Sequence, residues 1–206
     1  MLGRAKMIIY EFKVKAKAAQ YKAIDEAIRT SQFIQNKCLR YWMDNKKVSK
    51  YDLNKHCKIL ALRFSFASKL NSMARQSATE RVWSAISRFY DNCKKKVKGK
   101  EGFPKFKKHS LSVEYKTSGW KLFLRNATQT EARKAITFSD TNNIGTLKLK
   151  GTYDLNYYQL NQIKRVRIVK HADGYYVQFA IQIDLKVETK PTGKLVMLHG
   201  QLSVVG

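Results

Sequence analysis

The chain opens on strict alternation. Between Lys6 and Lys15, Ile8, Tyr10, Phe12 and Val14 share one face, and Glu11, Lys13 and Lys15 lie mostly on the other. A period of two rich in β-branched and aromatic residues predicts a half-buried strand. From Ala18 to Asp44 the period changes. Ile24, Ile28, Ser31, Ile34, Cys38 and Trp42 recur three and four apart, one stripe of an amphipathic helix, with Lys22, Arg29, Lys37 and Arg40 largely off it. A shorter helix is predicted from Tyr51 to near Phe64. A longer one runs from near Ser68 to Cys93, striped by Ala74, Ala78, Val82, Ala85 and Phe89. No proline precedes Pro104, so nothing breaks this helical stretch.

Lys94 to Lys108 holds eight lysines and one glutamate around Gly99, Gly102 and Pro104. Glycine and proline end the helix, and the lysines cannot pack, so this is a basic connector. The period then returns to two. Ser112–Thr117, Trp120–Leu124, Ala135–Ser139 and Gly145–Lys150 read as short strands between polar turns. Asp173-Gly174 is a hairpin turn. Before it lies a run from Lys164 to Lys170; after it Tyr175, Val177, Phe179, Ile181 and Ile183 share one apolar face, leaving a basic outer face. The order strand, helices, strands predicts an α+β fold: an antiparallel β-barrel or curled sheet in which the first strand pairs with later ones, with a helical domain inserted. Residues 1–16 would be the first barrel strand, 17–109 the helical domain with its connector, 110–190 the rest of the barrel, and 191–206 a tail unlike anything before it.

Charge then narrows the function. The 206 residues carry 41 Lys plus Arg against 15 Asp plus Glu, a net charge of +26. Such an excess repels itself and calls for a polyanion, nucleic acid first and an anionic membrane surface second. The 44% hydrophobic and 12% aromatic content is too high for a disordered basic tail. No apolar run is long enough to span a membrane, and the N-terminus lacks the plan of a signal peptide. Three widely spaced cysteines (Cys38, Cys57, Cys93) form no disulfide framework or zinc knuckle, so a reducing cytoplasm is expected. The carboxylates are dispersed, and there is no P-loop, nucleophile elbow or dinucleotide glycine pattern. The chain by itself is therefore expected to be neither an enzyme nor a holder of a cofactor or metal. Phosphate contacts are expected from Lys94, Lys95, Lys96, Lys98, Lys100, Lys105, Lys107, Lys108, Arg165 and Arg167. Phe103 and Phe106, set among the lysines, either stack on bases or anchor the connector to the core. Arg75, Gln76 and Arg81 on the long helix are residue types that read base edges.

Several segments, in order, resemble one family. They are the basic first strand, Ser31-Gln32-Phe33-Ile34-Gln35-Asn36, Ala74-Arg75-Gln76-Ser77, Gly102-Phe103-Pro104-Lys105-Phe106-Lys107 followed by Tyr115-Lys116-Thr117, and the hairpin at Asp173-Gly174-Tyr175-Tyr176. Residues 5 to 192 thus resemble the N-terminal half of TnpB (OrfB) proteins of bacterial insertion sequences, RNA-guided nucleases related to type V CRISPR effectors. The resemblance implies a wedge-like β-barrel with an inserted helical recognition domain. It implies guide RNA and double-stranded target DNA as partners in a bacterial or archaeal cytoplasm, no membrane, and DNA-motif contacts at Tyr51, Ser72, Gln76 and Thr117. Protein would read the motif and backbone shape while RNA pairing reads the sequence. The family continues into an RNase H-like domain that opens on a catalytic aspartate. Here Leu195-Val196-Met197-Leu198-His199-Gly200 follows instead, without an aspartate. A frame-shifted or truncated end is expected, and with it binding without cleavage. The alternatives are a split endonuclease completed by a second chain that carries the nuclease domain, and a guide-independent DNA-binding transposon protein.

Overall fold

The computed structural model describes residues 5–96, 102–123, 135–184, 194–198 and 201–205. Strand β1 (Ala5–Lys15) leads into four helices, α1 (Ala18–Asp44), α2 (Lys50–Arg63), α3 (Ser65–Lys69) and α4 (Ser72–Lys94). Six strands follow: β2 (Ser112–Lys116), β3 (Trp120–Phe123), β4 (Ala135–Phe138), β5 (Gly145–Lys150), β6 (Ile163–His171) and β7 (Gly174–Asp184). Lys194–Leu198 and Gln201–Val205, β8 and β9, pair with each other in a separate two-stranded ladder. No helix among the described residues is long and apolar enough to cross a membrane.

Helices α2 and α4 start where polar side chains satisfy their first amides. Ser49 and Asp52 form a reciprocal cap at α2, with Ser49 N–H donating to Asp52 Oδ2 at 2.9 Å and Asp52 N–H to Ser49 Oγ at 3.3 Å. Asn71 Oδ1 accepts Met73 N–H at 2.7 Å at the start of α4. The single helix expected from Ser68 is thereby divided. Leu70 and Asn71 turn extended, and Arg75 Nη1 lies 3.1, 3.0 and 3.0 Å from the carbonyl oxygens of Ala67, Ser68 and Leu70, closing the end of α3.

Seven strands make one antiparallel sheet in the order β2-β6-β7-β1-β5-β4-β3. The expected first strand is its centre: Phe12 faces Val177 on β7, and Lys13 to Lys15 pair with Lys150 to Lys148 on β5. The hairpin at Asp173-Gly174 forms with His171 opposite Gly174. Edge strands β2 and β3 are joined by one 3-10 turn, Thr117–Gly119. Three residues reach at most about 10 Å, whereas a flat seven-stranded sheet is about 29 Å from edge to edge. The sheet therefore curls until its edges approach, and Tyr115 on β2 packs against Phe138 on β4 with ring centroids 4.6 Å apart. It does not close, since no ladder joins β2 to β3. Of the two expected forms, the barrel is corrected and the open, curled sheet is the one found. The start of α4 crowds the seam: a methyl group on Gly119 would lie 3.2 Å from Asn71 Oδ1, Met73 Cβ and Tyr115 Cδ1 alike. Asn71 also donates to the Ser139 carbonyl at 3.0 Å.

Helices and sheet share one apolar core. Phe12, Val113, Tyr115, Phe138, Leu147, Val166 and Phe179 from the sheet join Ile24, Ile34, Leu53, Ala74 and Ile86 from the helices in one buried cluster. At its edge, the exposed Gly151 brings backbone against a ring. A Cβ on Gly151 would stand 2.7 Å from Cδ1 of Phe12, which is fully buried. Gly151→Ala is expected to lower stability by roughly 1–3 kcal/mol in urea unfolding, through overpacking. Adding Phe12→Leu should recover part of the loss; a wild-type midpoint for Gly151→Ala would show that the approach imposes no packing constraint.

Candidate nucleic-acid interface

Three of the four expected motif-contacting residues meet at one cavity. Tyr51 comes from the first turn of α2, and Ser72 and Gln76 stand one turn apart on α4. With Asn54, Cys57, Lys58 and Arg75 they line a space of about 320 Å³. Burial of Ala74, Ala78 and Val82 leaves Ser72 and Gln76 exposed. The Thr79 hydroxyl, 2.7 Å from Asn54 Oδ1 and 2.8 Å from the Gln76 carbonyl oxygen, fastens α2 to α4 beneath them. Tyr51 is 66% exposed, its ring 4.6 Å from Lys55 Nζ. Thr117 is exposed in the turn after β2 and does not line the cavity. It is joined to it through charge: Lys116 Nζ is 2.7 Å and Lys50 Nζ 3.1 Å from Glu80 Oε1, one helical turn beyond Gln76. Arg75 Nη1 is committed to the carbonyl oxygens of Ala67, Ser68 and Leu70, which ties down one corner of its guanidinium.

α4 lies against the face of β2 opposite its apolar side. Val113 and Tyr115 point into the core, and the alternate residues Ser112, Glu114 and Lys116 each meet a partner on α4. Arg81 Nη1 is 3.4 Å from Ser112 Oγ, the Ser77 hydroxyl donates to Glu114 Oε1 at 2.5 Å, and Lys116 donates to Glu80 at 2.7 Å. Glu114 also accepts from Arg165 Nη1 at 2.7 Å and Arg167 Nη2 at 2.8 Å, both on β6. Burial disfavours its ionised form, but Ser77, Arg167 and Arg165 outweigh burial and hold its carboxyl down at about 2. The two arginines expected on a free outer face therefore spend part of their guanidinium edges on this carboxylate. Arg165 adds a 3.8 Å contact to Glu80.

The connector is held by helix α1. Asn36 Oδ1 accepts Lys107 N–H at 2.9 Å and its Nδ2 donates to the Lys107 carbonyl at 2.9 Å. Gln32 Nε2 donates to the carbonyls of Lys107 and Lys108, each at 2.9 Å, and its Oε1 accepts Ser110 N–H at 2.7 Å. Pro104 is buried, and Phe103 packs 5.6 Å from Trp42 and 5.2 Å from Phe89. Phe103 therefore touches the core while 52% of it stays exposed, and Phe106 stands 46% exposed among lysines. Lys105, Lys107 and Lys108 are exposed along this fixed strip. Lys94, Lys95 and Lys96 are exposed at the end of α4, where positive charge complements the helix dipole, and Lys96 takes a left-handed turn at φ 51°. Lys98 and Lys100 lie outside the described residues.

Gln32, Asn36 and Ser77 lie in segments that carry the resemblance but have no site role in the sequence expectations, and Glu114 is not singled out in them. Glu114 carries a signal in hindsight: a lone carboxylate inside a short strand, matched by the Arg-x-Arg spacing of Arg165 and Arg167. No family model matches the chain, and no curated protein shows significant similarity to it. Among the described residues, no group of three or more His, Cys, Asp or Glu side chains is placed to hold a metal ion.

Because its folded pKa lies below the unfolded value, Glu114 contributes stability above the ordinary glutamate range and loses it as pH falls toward about 2. Glu114→Gln leaves Arg165 and Arg167 without their shared anion. It is expected to cost about 3 kcal/mol at neutral pH and to flatten the acid limb of the stability profile. Urea midpoints across that pH range check this, and an unchanged acid limb would remove Glu114 from the role.

Proposed function

We propose that the chain is a TnpB-like nucleic-acid-binding module. It holds a structured guide RNA through its basic faces and recognises a short DNA motif beside the target, without cutting it. In this reading the curled sheet is the wedge, the α1–α4 block is the recognition domain, and the module works in a bacterial or archaeal cytoplasm. The observation that carries it is the cavity shared by Tyr51 of α2 and by Ser72 and Gln76 of α4, two helices that meet on an exposed, positively charged surface. Glutamine suits the role because its amide can bond an adenine edge in two places, and an exposed tyrosine can stack or bond beside it. Thr117, at the seam of the sheet, would contribute from the far side of Glu80. Further support comes from Gln32 and Asn36, which fix the lysine strip. Preset cations lose less freedom when phosphates arrive.

Three measurements test the reading. Gln76→Ala should change motif preference, by about 1–3 kcal/mol at the base it contacts, in a selection from randomised flanking DNA. Equal weakening on every sequence would take Gln76 out of motif reading. Lys94, Lys95 and Lys96 changed together to Ala should weaken RNA binding broadly and reduce the slope of log K against log salt by roughly 0.7–0.9 per lost phosphate contact. An unchanged slope would leave those lysines in solvent. RNA sequenced from the purified protein should contain one enriched species; a featureless mixture would count against a guide.

A further inference from the structure

A second, smaller cavity lies between α1, α4 and the connector. It measures about 180 Å³, and Gln35, Leu39, Arg81, Val82, Lys105 and Lys107 are among its walls. Its charge is unbalanced. Arg81, Lys105 and Lys107 make no ion pair among the described residues, and Arg81 has only the 3.4 Å contact to Ser112. Arg167 lies close enough to both Arg81 and Lys107 to weaken their hold on a proton. The one carboxylate nearby, Glu114, is already taken up by Ser77, Arg165 and Arg167. Arg167 Nε is buried and has no hydrogen-bond partner.

Partial burial leads in lowering both Arg81 and Lys107 from their ordinary values, although the Lys107 side chain keeps an exposed surface; neighbouring cations add to it, and Glu114 opposes it at Arg81. Partly desolvated like charges held together destabilise the free protein. An anion seated among them would offset that repulsion. The connector backbone is pinned by Asn36 and Gln32, so Lys107 cannot simply swing its attachment point away.

We propose that this cavity is an anion site that seats one phosphate group, with Arg81 and Lys107 as its charged walls and Leu39, Val82 and Pro104 as its apolar floor. At about 180 Å³ it is smaller than the ~300 Å³ at which drug-sized ligands begin, so it admits a phosphate with part of a sugar rather than a stack of bases. A phosphodiester of bound RNA or DNA and free phosphate share this chemistry. The nucleic-acid source rests on the function proposed above.

The test uses the full chain and compares wild type, Lys107→Gln, Arg81→Gln and, as a control, the exposed Lys22→Gln. Thermal unfolding is followed in sodium phosphate and in sodium chloride of equal ionic strength. Binding of single-stranded RNA and DNA oligonucleotides is followed against salt. Without phosphate, Lys107→Gln should unfold at or above the wild-type temperature, because it relieves repulsion. It should lose the phosphate-specific gain that wild type and Lys22→Gln keep. Its salt slope for the bound nucleic acid should fall by roughly 0.7–0.9. Arg81→Gln should lose the same gain; Lys107→Gln decides the matter if Arg81→Gln folds poorly. An equal phosphate gain in wild type and Lys107→Gln, or no gain in either, overturns the site. A lost gain with unchanged slopes for both RNA and DNA would assign it to free phosphate and overturn the nucleic-acid source. A wild type that gains from phosphate but binds neither oligonucleotide would refute the proposed function and leave the anion site standing.

Discussion

A carboxylate placed inside a protein must be surrounded by donors or it will not stay ionised, and the arrangement of helices on this sheet follows from meeting that condition at Glu114. Its three partners come from two elements. Ser77 reaches it from α4, and Arg165 and Arg167 from β6. The arginines can both reach only if β2 and β6 keep the register that sets Glu114 opposite Arg167. Ser77 can reach only if α4 keeps one rotation about its axis. That rotation then decides what the rest of α4 does. Ser72 and Gln76 are turned toward α2, Glu80 toward Lys50 and Lys116, and Arg81 toward the connector. One buried charge thus orients two exposed surfaces at once.

Cations dominate those surfaces, and the structure distributes them unequally. Lys116, Arg165 and Arg167 are tied to Glu80 and Glu114 and act as mortar between helix and sheet. Lys105, Lys107 and Lys108 are carried on a strip whose backbone, not whose side chains, is fixed. The net charge of +26 is therefore not a uniform coat. It is split between cations that build the fold and cations left free by it.

Periodicity made most of the elements legible. The stripe Ile24, Ile28, Ser31, Ile34, Cys38 and Trp42 is buried throughout α1, and the Asp173-Gly174 turn sits where its hairpin needs it. Alternation in β1 also foretold pairing with later strands. What stayed hidden depends on distance through space. Nothing local distinguishes Asn71, which caps α4 and divides a helix that reads as continuous. Gln32 and Asn36 lie off the apolar stripe and look like solvated residues until the connector folds back on them. Closure of the sheet was over-read, because alternation sets which face is inward and not whether two edges finally pair. At the site, Tyr51, Ser72 and Gln76 come from a resemblance rather than from pattern; Ser72 and Gln76 share a face by helical spacing, but the approach of Tyr51 to them is a product of helix packing that no spacing rule contains.

The central position of β1 has a consequence for how the molecule is made. Ala5 pairs with Asp184, and Lys15 with Lys148, so the earliest strand to be synthesised finds its two neighbours only after nearly all of the sheet has followed. The backbone hydrogen bonds of helices α1 to α4 are local, and these helices can form in the interval. The strand meanwhile waits with both backbone edges unmatched and Ile8, Tyr10, Phe12 and Val14 uncovered. Folding of this kind is slow, because distant segments must meet before their contacts repay the lost chain freedom. The lysines interspersed along the strand make such waiting safer, since alternating charge discourages two nascent chains from pairing with each other in its place.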